Sequence, residues 1–85
     1  MSYQVIWDEK TRNFLRKIHP TEANRIVKKV NSIVDDPHHY LETLVGIKSQ
    51  KLRVGDYRVV IDIDDNEKKL FVVLIGHRKN IYQYI

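Results

Sequence analysis

A two-residue break, Gly55-Asp56, separates two runs of alternating polar and apolar residues, and no other feature limits the fold of this chain as strongly. A glycine-containing pair between two strand-like runs reads as a hairpin turn. A two-residue turn admits one register, with Val54 opposite Tyr57, Arg53 opposite Arg58 and Lys51 opposite Val60. Residues directly opposite share a face of the sheet. Leu52, Val54, Tyr57, Val59, Ile61 and Ile63 therefore gather on one side, and Lys51, Arg53, Arg58, Val60 and Asp62 on the other. A slip of one residue would set Leu52 against Arg58 and mix the faces, which burial of one face forbids.

The remaining elements follow from periodicity. Residues Tyr3–Trp7 read as a short first strand, and Asp8 can cap a helix running to about Ile18, with Phe14, Leu15 and Ile18 on one face. Pro20 suits the first turn of a second helix, in which Ile26, Val27, Val30, Ile33 and Val34 repeat at helical spacing. Pro37 stops it, because Asp36 is disfavoured in the helical region before a proline. A loop is expected over His38–Gly46, then strands over Ile47–Val54, Tyr57–Ile63 and Lys69–Ile75, with Asp64-Asp65-Asn66-Glu67-Lys68 as the second turn. The last strand is apolar on both faces and is expected to be central. The expected architecture is α+β, in the order β-α-α-β-β-β, an antiparallel sheet with the helical hairpin packed on one face. The stretch Gly76–Ile85 has room for a turn of helix or a ragged strand.

With 85 residues the chain reads as one domain, residues 1–85, with no space for separate cofactor and substrate domains. Cysteine is absent, which rules out disulfides, thiolate metal ligands and a cysteine nucleophile, and favours a cytoplasmic setting. The first ten residues lack the apolar core of a signal peptide, and no apolar run approaches the roughly 20 residues of a membrane span. Fifteen Lys and Arg against eleven Asp and Glu leave a formal charge of +4, which gains meaning only where the cations cluster.

They cluster on the polar face of the hairpin. Two arginines directly opposite repel each other, a cost that makes sense if an anion sits between them. Arginine holds phosphate with a planar fork and keeps its charge, while neighbouring cations push a lysine towards acting as a base. The polar run Gly76-His77-Arg78-Lys79-Asn80-Ile81-Tyr82 emerges at a sheet margin, and tyrosine offers a face for a splayed base. RNA is the anionic partner that fits this set. Simpler roles exist for several of these residues: Arg53 and Arg58 as solubilising strand charges, Tyr82 as packing for the tail, and Arg25, Lys28 and Lys29 as a solvated helix face or a contact for ribosomal RNA. His19 reads as a helix-cap residue, Asp64-Asp65 as a turn, and His38-His39 as an incomplete set of metal ligands, so no metal site is expected.

The segments Lys51-Leu52-Arg53, Gly55-Asp56-Tyr57-Arg58-Val59-Val60 and Gly76-His77-Arg78-Lys79-Asn80-Ile81-Tyr82, with the length and element order, resemble the RelE/ParE superfamily of toxins from type II toxin–antitoxin pairs. The RelE branch resembles microbial ribonucleases in fold and cuts mRNA in the ribosomal A site. The resemblance implies that Lys51 is the general base, that Arg58 stabilises the phosphate in the transition state, that Arg78 acts towards the leaving oxygen and that Tyr82 stacks on the substrate base. It implies phosphate contacts for Arg53, with Lys48 and Lys79 beside it, and His77 is an alternative acid or base. No cofactor is implied; the implied partners are a cognate antitoxin, the ribosome and mRNA. Some RelE toxins carry a second active-site lysine two residues before the Lys51 position, where this chain has Ser49. The ParE branch shares the scaffold, poisons DNA gyrase and lacks the ribonuclease set. A plain RNA-binding module stands as a third reading, and joint retention of Lys51, Arg58, Arg78 and Tyr82 favours the ribonuclease.

Overall fold

The chain alternates direction over one sheet, and the computed structural model describes residues 2–44 and 46–84, with only the backbone of Tyr84. Val45 of the expected loop and Ile85 of the tail lie outside the described residues. The elements are β1 (Gln4–Trp7), α1 (Glu9–Lys17), α2 (Pro20–Ser32), α3 (Pro37–Tyr40), β2 (Glu42–Thr43), β3 (Gln50–Val54), β4 (Tyr57–Asp64) and β5 (Lys69–His77), followed by a 3-10 turn over Ile81–Tyr84. The sheet order is β1-β5-β4-β3-β2.

Local chemistry sets the helix boundaries. The Asp8 carboxylate accepts the Thr11 backbone N–H at 2.8 Å, and the buried Thr11 hydroxyl donates back to the Asp8 carbonyl at 2.8 Å. Both bonds satisfy groups that an uncapped helix start leaves open. α2 begins at Pro20, with the His19 ring Nδ1 accepting from the Thr21 N–H at 3.2 Å.

The hairpin register is the expected one, with Val54 opposite Tyr57, Arg53 opposite Arg58 and Lys51 opposite Val60. The apolar face packs under α2, and Ile26, Val30 and Ile33 join Leu52, Val54, Val59, Ile61, Leu70, Val72 and Ile75 in one core. Phe14, Leu15 and Ile18 flank that core, as do Tyr57 and Ile63. β5 lies inside the sheet, between β1 and β4, in keeping with its two apolar faces. Its pairing with β4 passes over Val73, since Val60 faces Leu74 while Ile61 faces Val72. This bulge lets Val72 and Ile75 both reach the core.

Two features differ from the sequence expectation and share a cause. The expected loop contains the single turn of α3 and the two-residue strand β2, which pairs Glu42 with Lys51 and Thr43 with Gln50. β3 consequently starts at Gln50, because Gly46 (φ +82°) and Ile47 are taken up by the turn between β2 and β3. β2 also adds one reversal of chain direction that a helical hairpin followed by three strands lacks. β1 therefore runs parallel to β5, Gln4 beside Lys69 through Trp7 beside Val72, and the sheet is mixed rather than wholly antiparallel.

At the end of the sheet away from the Gly55-Asp56 turn, Asp65 gathers three segments. Its carboxylate accepts the Tyr3 hydroxyl at 2.7 Å and lies 2.7 Å from the His38 ring Nε2. Hydrogen bonding from Tyr3, then from His38, holds the Asp65 carboxyl below its usual value, and the same bond to Asp65 raises the Tyr3 hydroxyl. Among the described residues, no helix is long and apolar enough to cross a membrane.

Two outcomes follow from this packing. Ile26→Ala removes a fully buried side chain and should cost about 2–5 kcal/mol in urea denaturation, whereas Asn24→Ala on the exposed side of the same helix should stay within about 0.5 kcal/mol. The depressed Asp65 contributes stability at neutral pH that is lost as pH falls from the ordinary carboxylate value of 3.8 through its lower folded value. In thermal melts across pH, Asp65→Asn should therefore differ from the native chain at pH 6 and converge with it in acid.

Candidate functional site

The outer face of the sheet, opposite the helices, carries the charged set, and three local devices arrange it. The first is the β3–β4 turn. Gly55 adopts φ +57°, a left-handed conformation that glycine accepts without penalty. The Gly55 and Tyr57 carbonyls accept hydrogen bonds from Nη1 of Arg58 at 2.9 and 2.8 Å, and the Asp56 carbonyl accepts the Arg78 backbone N–H at 2.8 Å. The Asp56 carboxylate lies 3.6 Å from Nε of Arg78. One turn thus tethers both arginines, the first near the start of β4 and the second just past the end of β5.

The second device is the pairing of β2 with β3. It places Glu42 directly across from Lys51, and the carboxylate lies 3.6 Å from Nζ. The third is the terminal turn. Chain reversal after His77, closed by the Asn80 N–H donating to the His77 carbonyl at 2.9 Å, carries Tyr82 back over the sheet. The Lys51 ammonium donates to the Tyr82 hydroxyl at 3.3 Å and lies 5.6 Å from the ring centroid, within cation–π range. Arg58 is two residues before Val60, the partner of Lys51, so it is a diagonal neighbour of Lys51 on the same face, at about 7–8 Å between backbones.

Lys51, Arg58, Arg78 and Tyr82 are thus brought to one face or its margin. Arg58 is more enclosed there than an open basic surface implies: only 8% of it is exposed, since its side chain folds back on its own turn. Arg53 shares the face by register but lines a groove of about 490 Å³ with Arg25, Lys28, Lys29 and Ser32 over Val54 and Gly55. Lys48 is exposed in the turn before β3, and Lys79 is exposed in the turn after β5. His77 is not brought to Lys51. It pairs with Tyr57, on the helix side of the sheet, with the two rings 5.8 Å apart, and its Nδ1 accepts the Lys79 N–H at 3.2 Å. Ser49, at the position of a second lysine in some RelE toxins, hydrogen-bonds to the Asp62 carboxylate at 2.5 Å.

Glu42 and Asp56 are the site residues that sequence reading does not find. Glu42 stands on a two-residue strand, too short for any periodic signal. Asp56 reads simply as half of a turn, although its carboxylate aims at Arg78. Chemically, the face offers an ion pair, Lys51 and Glu42, beside an aromatic ring, and two guanidinium groups at a common turn. Such a set can hold a phosphodiester and take a proton from an adjacent hydroxyl.

Known proteins share this arrangement of elements. The chain is 28% identical over 87 residues to the mRNA interferase toxin RelE of Escherichia coli K12, covering 99% of this chain and 92% of that protein. The E. coli RelBE toxin–antitoxin complex contains a chain that superposes with a TM-score of 0.75 at 26% identity, covering 89% of this chain and 96% of that one. The toxin–antitoxin complex RelBE2 of Mycobacterium tuberculosis gives a TM-score of 0.85 at 22% identity, over 92% of this chain and 100% of that one. Residues 5–82 match the family described as the ParE toxin of the type II toxin–antitoxin system parDE. The family match over most of the chain shows that it belongs to the ParE toxin family, within the RelE/ParE superfamily of type II toxin–antitoxin toxins.

Proposed function

We propose that this toxin is an endoribonuclease that cuts mRNA in the ribosomal A site and so stops translation. The observation that carries the reading is the contact of Lys51 with Tyr82 on the sheet face that also holds Arg58. The E. coli relative, named an mRNA interferase, supports it.

The reaction is a transesterification. The 2′-hydroxyl loses its proton, its oxygen forms a bond to phosphorus, and the bond from phosphorus to the 5′-oxygen breaks. The products are a 2′,3′-cyclic phosphate and a 5′-hydroxyl. The Glu42 carboxylate, 3.6 Å from the Lys51 ammonium, receives the proton while that ammonium stabilises the forming alkoxide. Arg58, already oriented by two carbonyls, places its guanidinium charge on the crowded phosphorane. Arginine does not release its proton in proteins. Arg78 accordingly steadies the leaving oxygen with hydrogen bonds, and water supplies the proton. Tyr82, half exposed, presents a ring on which an unstacked base can lie. No cofactor enters this scheme. The ribosome as platform puts the toxin in the cytoplasm, and a cognate antitoxin holds it inactive, as the solved toxin–antitoxin neighbours suggest.

Membership of the ParE toxin family favours a second reading, the poison of DNA gyrase that a resemblance to the ParE branch implies on the same scaffold. Induction followed by primer extension on translated mRNA separates the two. The ribonuclease produces new in-frame 5′ ends, and Arg58→Ala should lower their rate of appearance by about 100-fold or more. Identical ends from the native chain and Arg58→Ala would sink the reading, and gyrase-dependent DNA breaks without mRNA ends would establish the alternative. Glu42→Gln, at an exposed position that does not carry the core, should slow cleavage by about 100-fold. Full activity in that variant would leave Lys51 as the only base.

A further inference from the structure

The outer face of the sheet carries apolar residues separate from the main core, Val60 and Ile81 among them, with Gly76 beside Ile81. Val60 and Ile81 are 3% and 1% exposed, yet neither belongs to the core cluster beneath the helices. Gly76 pairs with Arg58 in the β4–β5 ladder, so the side of Gly76 that lacks a Cβ faces the same way as Arg58. Ile81 occupies that space. A Cβ on Gly76 would stand 2.7 Å from the Ile81 Cδ1, closer than such atoms pack, and a tight 3.3 Å from its Cβ. Ile81 is thus seated in a socket made by a missing side chain, beside a buried guanidinium.

The next residue in the chain is Tyr82. Its neighbours in the turn are polar and exposed: Arg78, Lys79, Asn80 and Gln83. Polar contacts hold the start of the turn, from Arg78 to Asp56 and from Lys79 to the His77 ring, while its later part is tied by the backbone bonds of Asn80 to His77 and Gln83 to Asn80. A four-residue 3-10 turn has little stability of its own. The apolar anchor of this turn is therefore Ile81, and what it anchors is the ring above Lys51.

We propose that Ile81, seated on Gly76, is a positioning residue that holds Tyr82 over Lys51 and so keeps the substrate-stacking ring in place before RNA arrives. The inference rests on the ribonuclease reading for its effect on rate, but not for its structural half. Without the anchor the turn frays and the ring leaves Lys51. The fold beneath stays intact, since the main core lies on the other side of the sheet.

The test combines nuclear Overhauser contacts between the Tyr82 ring and the Lys51 side chain with the rate of mRNA cleavage on translating ribosomes. Ile81→Ala should lose the contacts and slow cleavage by the same factor as Tyr82→Ala, about tenfold to a hundredfold for one stacked base. The double variant should be no slower than either single one. Ile81→Val should retain most of the rate. Ile26→Ala, a comparable loss in the main core, should lower the melting temperature yet keep both the contacts and the rate when assayed well below its melt. Retained Tyr82–Lys51 contacts in Ile81→Ala, or effects of Ile81→Ala and Tyr82→Ala that multiply, would overturn the inference. If the native chain does not cut mRNA but Ile81→Ala still abolishes the contacts, the positioning role stands and the ribonuclease reading falls.

Discussion

Everything on this molecule's charged face depends on a turn of two residues. Gly55 accepts a backbone conformation that side chains resist, and in doing so sets β3 against β4 in a single register. Because strand side chains alternate, that register decides together which residues enter the core and which cations meet. The same turn then serves a second purpose through its carbonyls. They accept from the Arg58 side chain and the Arg78 backbone, so the loop that sets register also tethers the two guanidinium-bearing residues.

Much of this was legible in the sequence, and the reasons are specific. The hairpin register follows from a short turn between strands with one buried face. The spacing of Ile26, Val30 and Ile33 gives α2 its buried stripe. Two-sided apolarity puts β5 inside the sheet. What escaped notice lies below the resolution of pattern. Two residues of β2 carry no period, yet their one extra reversal changes β1 from an antiparallel to a parallel neighbour. An arginine on a polar strand face reads as exposed, and only its carbonyl partners explain why Arg58 is not.

The candidate site was legible in a similar way and for similar reasons. Residues on regular strands could be assigned to a face by counting, which gathers Lys51, Arg53 and Arg58. Residues beyond a strand end could not. Arg78 is tied back to the Asp56 turn, and Tyr82 arrives by a chain reversal in which one isoleucine meets one glycine. His77, one residue earlier, still obeys the strand alternation and so faces Tyr57 on the far side. Between His77 and Arg78 the chain passes from strand geometry to turn geometry, and adjacent residues acquire unrelated surroundings.

The sheet is a single layer, with its main apolar packing on one side and most of its charge on the other. Changes among the exposed cations therefore remove little of the cohesion that keeps the chain folded, and changes beneath the helices reach the charged side chiefly through strand spacing. A lineage could blunt or redirect this toxin by drift on the outer face and still make a well-folded protein. Its inactive descendants would persist as folded molecules, because the packing that holds them together lies on the side that had not changed.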